Sequence, residues 1–415
     1  MRRWPLLAAG FGINLSLGTV YSWSVFVKPL QERFGASYFE AALPSTLCLA
    51  LFAVGMLFAG RLVNRWGPRR VATVGVGLVG AGYLASAAVL GLPSPMLLLA
   101  VVYGGLVGLG IGFAYSPPIP TAARWFPERK GLATGIVVMG FGLSPLVTAP
   151  LVNYLLGASG VEFTFLLLGG VFLLAGLPLA ALLRFPPTDF VSPAAPAAKA
   201  AAAAEFDLTP REVLGRREFY LLVALYALGT SAGFMAISQA KTIAAEMAGL
   251  EAVLAVAAVQ WLAVWNCVGR PGFGRLVDTW GARGILGTMF VLEMAGMALL
   301  ASAGQAGALF AGLALVAAVF GGFLAVMPTL TAQLFGGRNL AANYGLVFLG
   351  YGTGGLLGPV LIGAVRDATG GFSSAFVIGV GLCAAGLALA TFVRPPKRLA
   401  TAEVPAVFSR ARGQV

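Results

Sequence analysis

Apolar residues in this chain come in long blocks, and short polar clusters separate one block from the next. A helix needs roughly 20 mainly apolar residues to cross a hydrocarbon layer ~30 Å thick. The pattern predicts twelve such helices, near 5–27, 39–60, 71–91, 96–121, 131–156, 163–183, 219–240, 252–274, 284–303, 307–330, 341–364 and 372–393. Glycine is abundant inside these blocks, where it lets membrane helices approach closely. Between 184 and 217 the chain turns polar and rich in Ala and Pro, which reads as a linker with a short surface helix. The expected architecture is an all-α membrane protein of two related bundles. Residues 1–183 form the first six helices, 184–217 a cytoplasmic linker, 218–394 the second six, and 395–415 a cytoplasmic tail.

Composition supports this reading and removes others. The chain is 59% hydrophobic and 10% charged, whereas soluble domains carry about one quarter charged residues. A net charge of +12 suggests nucleic-acid binding until its placement is examined. With both termini cytoplasmic, 22 Lys and Arg fall on that side and 4 (Lys28, Arg33, Lys241, Arg366) on the other, and Arg270 completes the 27. That bias is the positive-inside rule at work; it implies no nucleic-acid partner and sets an expected orientation in a cell inner membrane. The Arg-Arg start and the apolar run after it resemble a signal peptide, but the run continues as a full span without a convincing cleavage site. Cys48, Cys267 and Cys383 all lie within predicted spans, so no disulfide framework is indicated. The spans contain no histidine, no metal-ligand spacing and no paired carboxylates, which argues against an enzyme, a metal or a cofactor. The longest loop is too short and too simple to be the output domain of a sensor.

The two sets of six are related. GRLVNRWGPRR at 60–70 and GRLVDTWGARG at 274–284 align without a gap at an offset of 214. A weaker pair, WFPERKGLATG at 125–135 and LFGGRNLAANYG at 334–345, opens the fifth span of each set. Duplication of this kind is usual in secondary transporters, whose substrate sites lie near mid-membrane between the repeats. The GRLV segments read as tight turns in which arginines bond helix-end carbonyls or a neighbouring acid. Two readings stand for Arg61, Asn64, Arg65, Arg275 and Asp278: anchors at the cytoplasmic surface, or a gate that breaks and reforms.

These loops and the six-plus-six arrangement resemble the major facilitator superfamily over essentially the whole chain. RWFPERKGLATGIVVMGFG at 124–142 is similar to the signature of the monocarboxylate-porter group. GTVYSWSVF at 18–26 and NYGLVFLGYGTGGLLGP at 343–359 resemble the oxalate/formate antiporter branch. The resemblance implies an alternating-access transporter of small carboxylate anions. In the related families an arginine at the position of Arg270 binds the substrate carboxylate.

The residue itself argues the same way. A charge at a helix centre costs about 2.5–3.5 kcal/mol on insertion scales, and a guanidinium fork matches a carboxylate with two parallel hydrogen bonds. Snorkelling explains Arg270 poorly, because Arg275 already lies five residues nearer the cytoplasmic face. Pairing has one candidate, Glu293, mid-way along the ninth span; the resemblance places that span at the periphery, so Glu293 is expected to pack structurally or meet a polar neighbour. Asn266 shares a helix face with Arg270 one turn away. Animal monocarboxylate transporters carry an acid there, so proton coupling in this chain needs a proton riding with the substrate or a residue not yet identified. Obligate exchange needs none.

The resembled oxalate transporter also uses a lysine in its eleventh helix. Here no lysine lies between Lys241 and Lys397, and the matching position is Tyr351. One fixed positive charge favours a monocarboxylate such as lactate, pyruvate, acetate or formate; an oxalate/formate-type exchanger is the alternative. Tyr21, Tyr115, Tyr351, Phe323 and Phe348 are candidate pocket residues, with Leu143 and Gln239 weaker ones. Gly350-Tyr351-Gly352 echoes Gly140-Phe141-Gly142, suggesting close helix contact around a central cavity. Protons are a further expected partner, and some eukaryotic members of the resembled group add an accessory subunit.

Overall fold

The computed structural model describes residues 3–187, 190, 207–249, 251–302 and 304–393. Most of the expected linker and the whole of the expected tail, 395–415, lie outside the described residues. Among the described residues the chain is helical and contains no strands. The helices account for the twelve expected spans among the described residues, several joined more tightly than the hydrophobic blocks suggest. Span one is assembled from Trp4–Leu17, a 3-10 turn Gly18–Ser22, and Ser24–Phe34. Spans two and three share Tyr38–Val89, spans five and six share Lys130–Leu182, and spans eight and nine share Ala252–Ala301. Span four runs from Pro95 to Trp125 through a π-turn at Tyr103–Val107. Span seven comprises Arg217–Ser238 and Ala240–Ala248, and span ten is Ala306–Phe335. Span eleven comprises Leu340–Val347 and Leu349–Thr369, and span twelve is Ser373–Ala390.

The GRLV segments correct an expectation. Each is helical almost throughout and reverses at one residue, Gly67 with φ 79° or Gly281 with φ 73°. Only glycine takes that left-handed conformation without steric cost, so a single Trp-Gly step ends one helix and the next begins at once. In the first copy Pro68 follows, a residue pre-set for the first turn of a helix. The arginines do not cap these ends: Arg61, Arg65 and Arg275 are exposed and form no hydrogen bond or ion pair among the described residues.

The two halves meet along spans five and eight and along spans two and eleven. Backbone touches backbone there. A Cβ at Gly131 would lie 2.0 Å from the Gly274 carbonyl oxygen, and one at Gly60 would lie 2.2 Å from that of Ala341. Three sets of hydrogen bonds cross between halves at this end, which also carries most of the basic residues. The Gly131 and Leu132 amides donate to the Asp278 carboxylate at 3.0 and 3.2 Å. Asn64 Nδ2 donates to Asn339 Oδ1 at 3.1 Å, and the Arg124 guanidinium donates to the Arg338 carbonyl at 2.6 Å. The end of the linker is pinned here as well: Leu208 donates to the Phe335 carbonyl at 2.9 Å and accepts from Asn343 Nδ2 at 2.9 Å.

The opposite end is organised differently. Ser24–Phe34 and Ala240–Ala248 pack against helices of their own halves. Arg33 pairs with Glu162 within the first half and Arg366 with Glu246 within the second. The halves are thus latched together at the basic end and braced separately at the far one.

If backbone contact at Gly131 is what permits this closure, Gly131→Val prevents it. A cysteine introduced by Asn339→Cys is then expected to react faster with an impermeant thiol reagent applied from the basic side. Unchanged labelling counts against the seam as the closing element.

Candidate functional site

Span eight carries Arg270 to the plane where the halves meet. It is fully buried, and Asn266, one turn earlier, accepts a hydrogen bond from its Nε at 3.0 Å. One terminal nitrogen donates across to the backbone carbonyl of Val138 on span five. The other, Nη2, is buried without a protein partner. Span five can pass this close because of its glycines: a Cβ at Gly142 would stand 2.8 Å from Nε and 3.0 Å from Cζ of Arg270. One at Gly135 would meet the Arg270 carbonyl at 2.6 Å. The guanidinium also lies 5.9 Å from the ring centre of Phe141, in the range of a cation–π contact.

Phe141 joins the charge to an aromatic cluster. Its ring meets Tyr21 edge-on at 5.0 Å, Tyr115 at 5.4 Å and Phe52 at 5.8 Å. Phe52 in turn contacts Phe348 at 4.9 Å, and Phe348 stacks on Tyr351 at 4.6 Å. The Tyr21 and Tyr351 hydroxyls are 2.5 Å apart and bridge the two halves. The buried Tyr115 hydroxyl, like Nη2 of Arg270, has no protein partner. The Arg270 charge acts electrostatically on the phenols of Tyr21, Tyr115, Tyr344 and Tyr351, so these rings surround one centre. Such an arrangement offers one fixed cation, which the Tyr21 hydroxyl also approaches, and the unpartnered Tyr115 hydroxyl within an apolar wall, a set suited to one carboxylate and one further oxygen.

Of the residues singled out in the sequence, Arg270, Asn266, Tyr21, Tyr115, Tyr351 and Phe348 come together. Phe323 does not reach this shell. It packs behind Tyr226, ring centres 6.3 Å apart, and against Phe290 at 5.4 Å. Leu143 is half-buried beside Gly142, and Gln239 marks the break in span seven. Glu293 is fully buried but does not pair with Arg270; the group acting on it is the Cys383 thiol on span twelve. Phe52, Phe141, Tyr226 and Tyr344 belong to the cluster without having been singled out, and Tyr226 and Tyr344 join hydroxyls at 3.3 Å. The Gly-Phe-Gly echo of Gly-Tyr-Gly was the available signal for Phe141. No sequence signal marks the Val138 carbonyl, which is a backbone group.

The family model described as Major Facilitator Superfamily matches residues 8–265 and 234–413. An uncharacterised MFS-type transporter of Escherichia coli, YhjX, is 31% identical over 85% of this chain and 86% of its own. The oxalate:formate antiporter of Oxalobacter formigenes is 28% identical over 91% and 88%. Mouse monocarboxylate transporter 11 is 34% identical over 90% and 83%. Among solved structures, the Escherichia coli fucose:proton symporter FucP superposes with a TM-score of 0.70 at 16% identity, covering 93% of this chain and 98% of that one.

Phe141 is the hub through which the charge and the tyrosines share a wall. Its replacement by Ala is expected to destabilise the detergent-solubilised protein by about 3–5 kcal/mol, whereas Tyr21→Phe, which leaves the buried Tyr351 hydroxyl without its partner, costs about 1–3 kcal/mol. Denaturation of both variants checks the ranking; equal stabilities contradict the hub.

Proposed function

The chain belongs to the Major Facilitator Superfamily, and we propose that within it this protein transports small monocarboxylates of about the size of lactate or pyruvate. It works by alternating access across the cell inner membrane, with its basic end in the cytoplasm and proton movement coupled to the substrate. The observation that carries this reading is the buried Nη2 of Arg270, unpartnered beside an unpartnered Tyr115 hydroxyl. A fixed cation in a low-dielectric site, with one donor free and another engaged only by a backbone carbonyl, is satisfied by a carboxylate's two oxygens. Tyr115 supplies a donor for the same carboxylate or for a 2-hydroxyl or keto oxygen. Names of relatives, an oxalate:formate antiporter and a monocarboxylate transporter, support the substrate class.

The choice between one and two carboxylates rests on charge. A dianion held by Arg270 alone would keep one carboxylate buried and unpaired, at a cost of several kcal/mol. Tyr351 adds no charge, and its hydroxyl is engaged by Tyr21. The monocarboxylate reading is therefore preferred to the oxalate/formate exchanger.

Coupling of binding to movement follows from the bond that Arg270 already makes. Its donation to the Val138 carbonyl joins span eight to span five across the halves. A carboxylate competes for that nitrogen, and charge-assisted bonding to an ionised acceptor is roughly twice as strong as to a neutral one. Substrate thus weakens a cross-half bond at the head of the glycine seam that ends at Asp278. The GRLV residues Arg61, Asn64, Arg65, Arg275 and Asp278 form the gate region in this reading, with Asn64 and Asp278 making the bonds that must break.

L-Lactate, pyruvate, acetate, formate and oxalate offered to the purified protein provide the test. Thermal stabilisation by a monocarboxylate is expected, and Arg270→Ala abolishes it; an unchanged shift in that variant ends the proposal. Tyr115→Phe is expected to weaken binding about 10- to 100-fold, the loss of one hydrogen bond to a charged group. Tyr351→Lys, by adding the second cation, is expected to move preference toward oxalate in the same assay. No gain for oxalate would mean that the one-charge argument does not govern selectivity.

A further inference from the structure

Glu293 is the one acid more than a turn inside a predicted span, and the site around Arg270 does not use it. It is 0% exposed, and neither carboxyl oxygen has a hydrogen-bond partner. Span twelve brings the Cys383 thiol beside it. Span ten, Ala306–Phe335, contains no titratable side chain. Span seven contributes Tyr226, whose hydroxyl is engaged by Tyr344, and places Arg217, Glu218 and Tyr220 at its basic end. Span eight, the hairpin partner of span nine, carries Cys267 and Arg270. No base bonds Glu293 among the described residues; the Cys383 thiol is the group beside it, and Arg270, on the preceding span of the same helical hairpin, is the other fully buried charged side chain.

We propose that Glu293 is the proton-carrying residue of transport, coupled to the carboxylate site through the charge balance of the closed protein. This rests on the monocarboxylate reading. Two closed states are neutral at the pair: Arg270 with a bound carboxylate and protonated Glu293, or Arg270 without substrate and ionised Glu293. The mixed states carry an uncompensated charge of +1 or −1 in a medium where charges attract or repel across more than one helix. The carrier therefore closes with anion and proton together, or with neither. In one cycle the Glu293 carboxylate takes a proton on the far side and gives it up on the cytoplasmic side, and one substrate anion makes the same passage. Phe290, one turn nearer the basic end on the same helix, rests its ring on Phe323 and through it on Tyr226 at the central cluster, which links the neighbourhood of Glu293 to the site.

The experiment uses purified protein in proteoliposomes, measuring initial rates of labelled L-lactate uptake driven by an inward proton gradient, and lactate–lactate counterflow without a gradient. Passive entry into protein-free liposomes is subtracted. The variants are Glu293→Gln and Glu293→Asp. E293Q permits only the loaded neutral state, so counterflow is expected to persist at close to the wild-type rate while gradient-driven uptake is lost. E293D is expected to recover it, with the pH profile displaced. Gradient-driven uptake by E293Q equal to wild type overturns the proposal. Loss of counterflow as well, in a variant that still binds lactate, overturns it too, because Glu293 is then structural. A wild-type protein that neither binds nor exchanges any of the acids overturns the monocarboxylate reading and, with it, this one.

Discussion

A guanidinium held away from water is the constraint around which the rest of this molecule is arranged. Arginine does not shed its proton to escape burial, so its cost must be met by geometry. Asn266 fixes one edge of the fork, the Val138 carbonyl meets part of another, and the face of Phe141 lies near the plane. Each of these requires span five to run against span eight at backbone distance, and side chains at 131, 135 or 142 would prevent that. The glycine-rich start of the fifth span thus has a physical reason. It brings a carbonyl within reach of the charge and leaves room for the guanidinium itself.

The same logic is applied twice, with one difference. Gly140 packs on the Phe11 carbonyl of span one, and Gly350 packs on the Val223 carbonyl of span seven, so the first glycine of each pair ties its span to its own half. The second glycine faces the other half: Gly142 meets Arg270, and Gly352 meets Ala53. Symmetry also breaks at the latch. Asp278 accepts two amides at the start of span five, where its charge is further favoured by the positive end of the helix. Its counterpart Asn64 makes one neutral bond to Asn339. Partial burial pushes the Asp278 carboxyl above its usual range despite its two amide bonds, and the seam through spans five and eight is the one that leads to Arg270.

Much of this could be read from the chain because lipid imposes simple demands. Blocks of apolar residues had to be helices, and a lone mid-span arginine with Asn266 one turn away had to share its face. Other features were hidden for equally physical reasons. The GRLV segments looked like loops because their polar residues mark the membrane edge, yet the reversal needs only the φ of Gly67 or Gly281. Phe323 reads as a pocket-wall residue in the sequence, but its ring packs on Tyr226 and Phe290 behind the central cluster. A composition gives no rotation about a helix axis when every face is apolar. The Tyr21–Tyr351 bridge pairs residues 330 positions apart and depends on how the two halves dock.

A fixed positive charge in the centre of a carrier also raises the question of what balances it between substrates. An acid one turn from Arg270 would answer locally, but it would compete with the substrate for the same fork and repel its carboxylate. Asn266 instead orients the guanidinium without neutralising it, leaving Nη2 free. The balancing charge is then better placed at a distance, where Coulomb attraction persists in low dielectric but no hydrogen bond ties up the donor. Among the acids of this chain Glu293 alone has that combination of depth and separation. In the proposed cycle, an amide beside the arginine and a carboxyl on the neighbouring span divide the binding group from its counter-charge, so that neither obstructs the other.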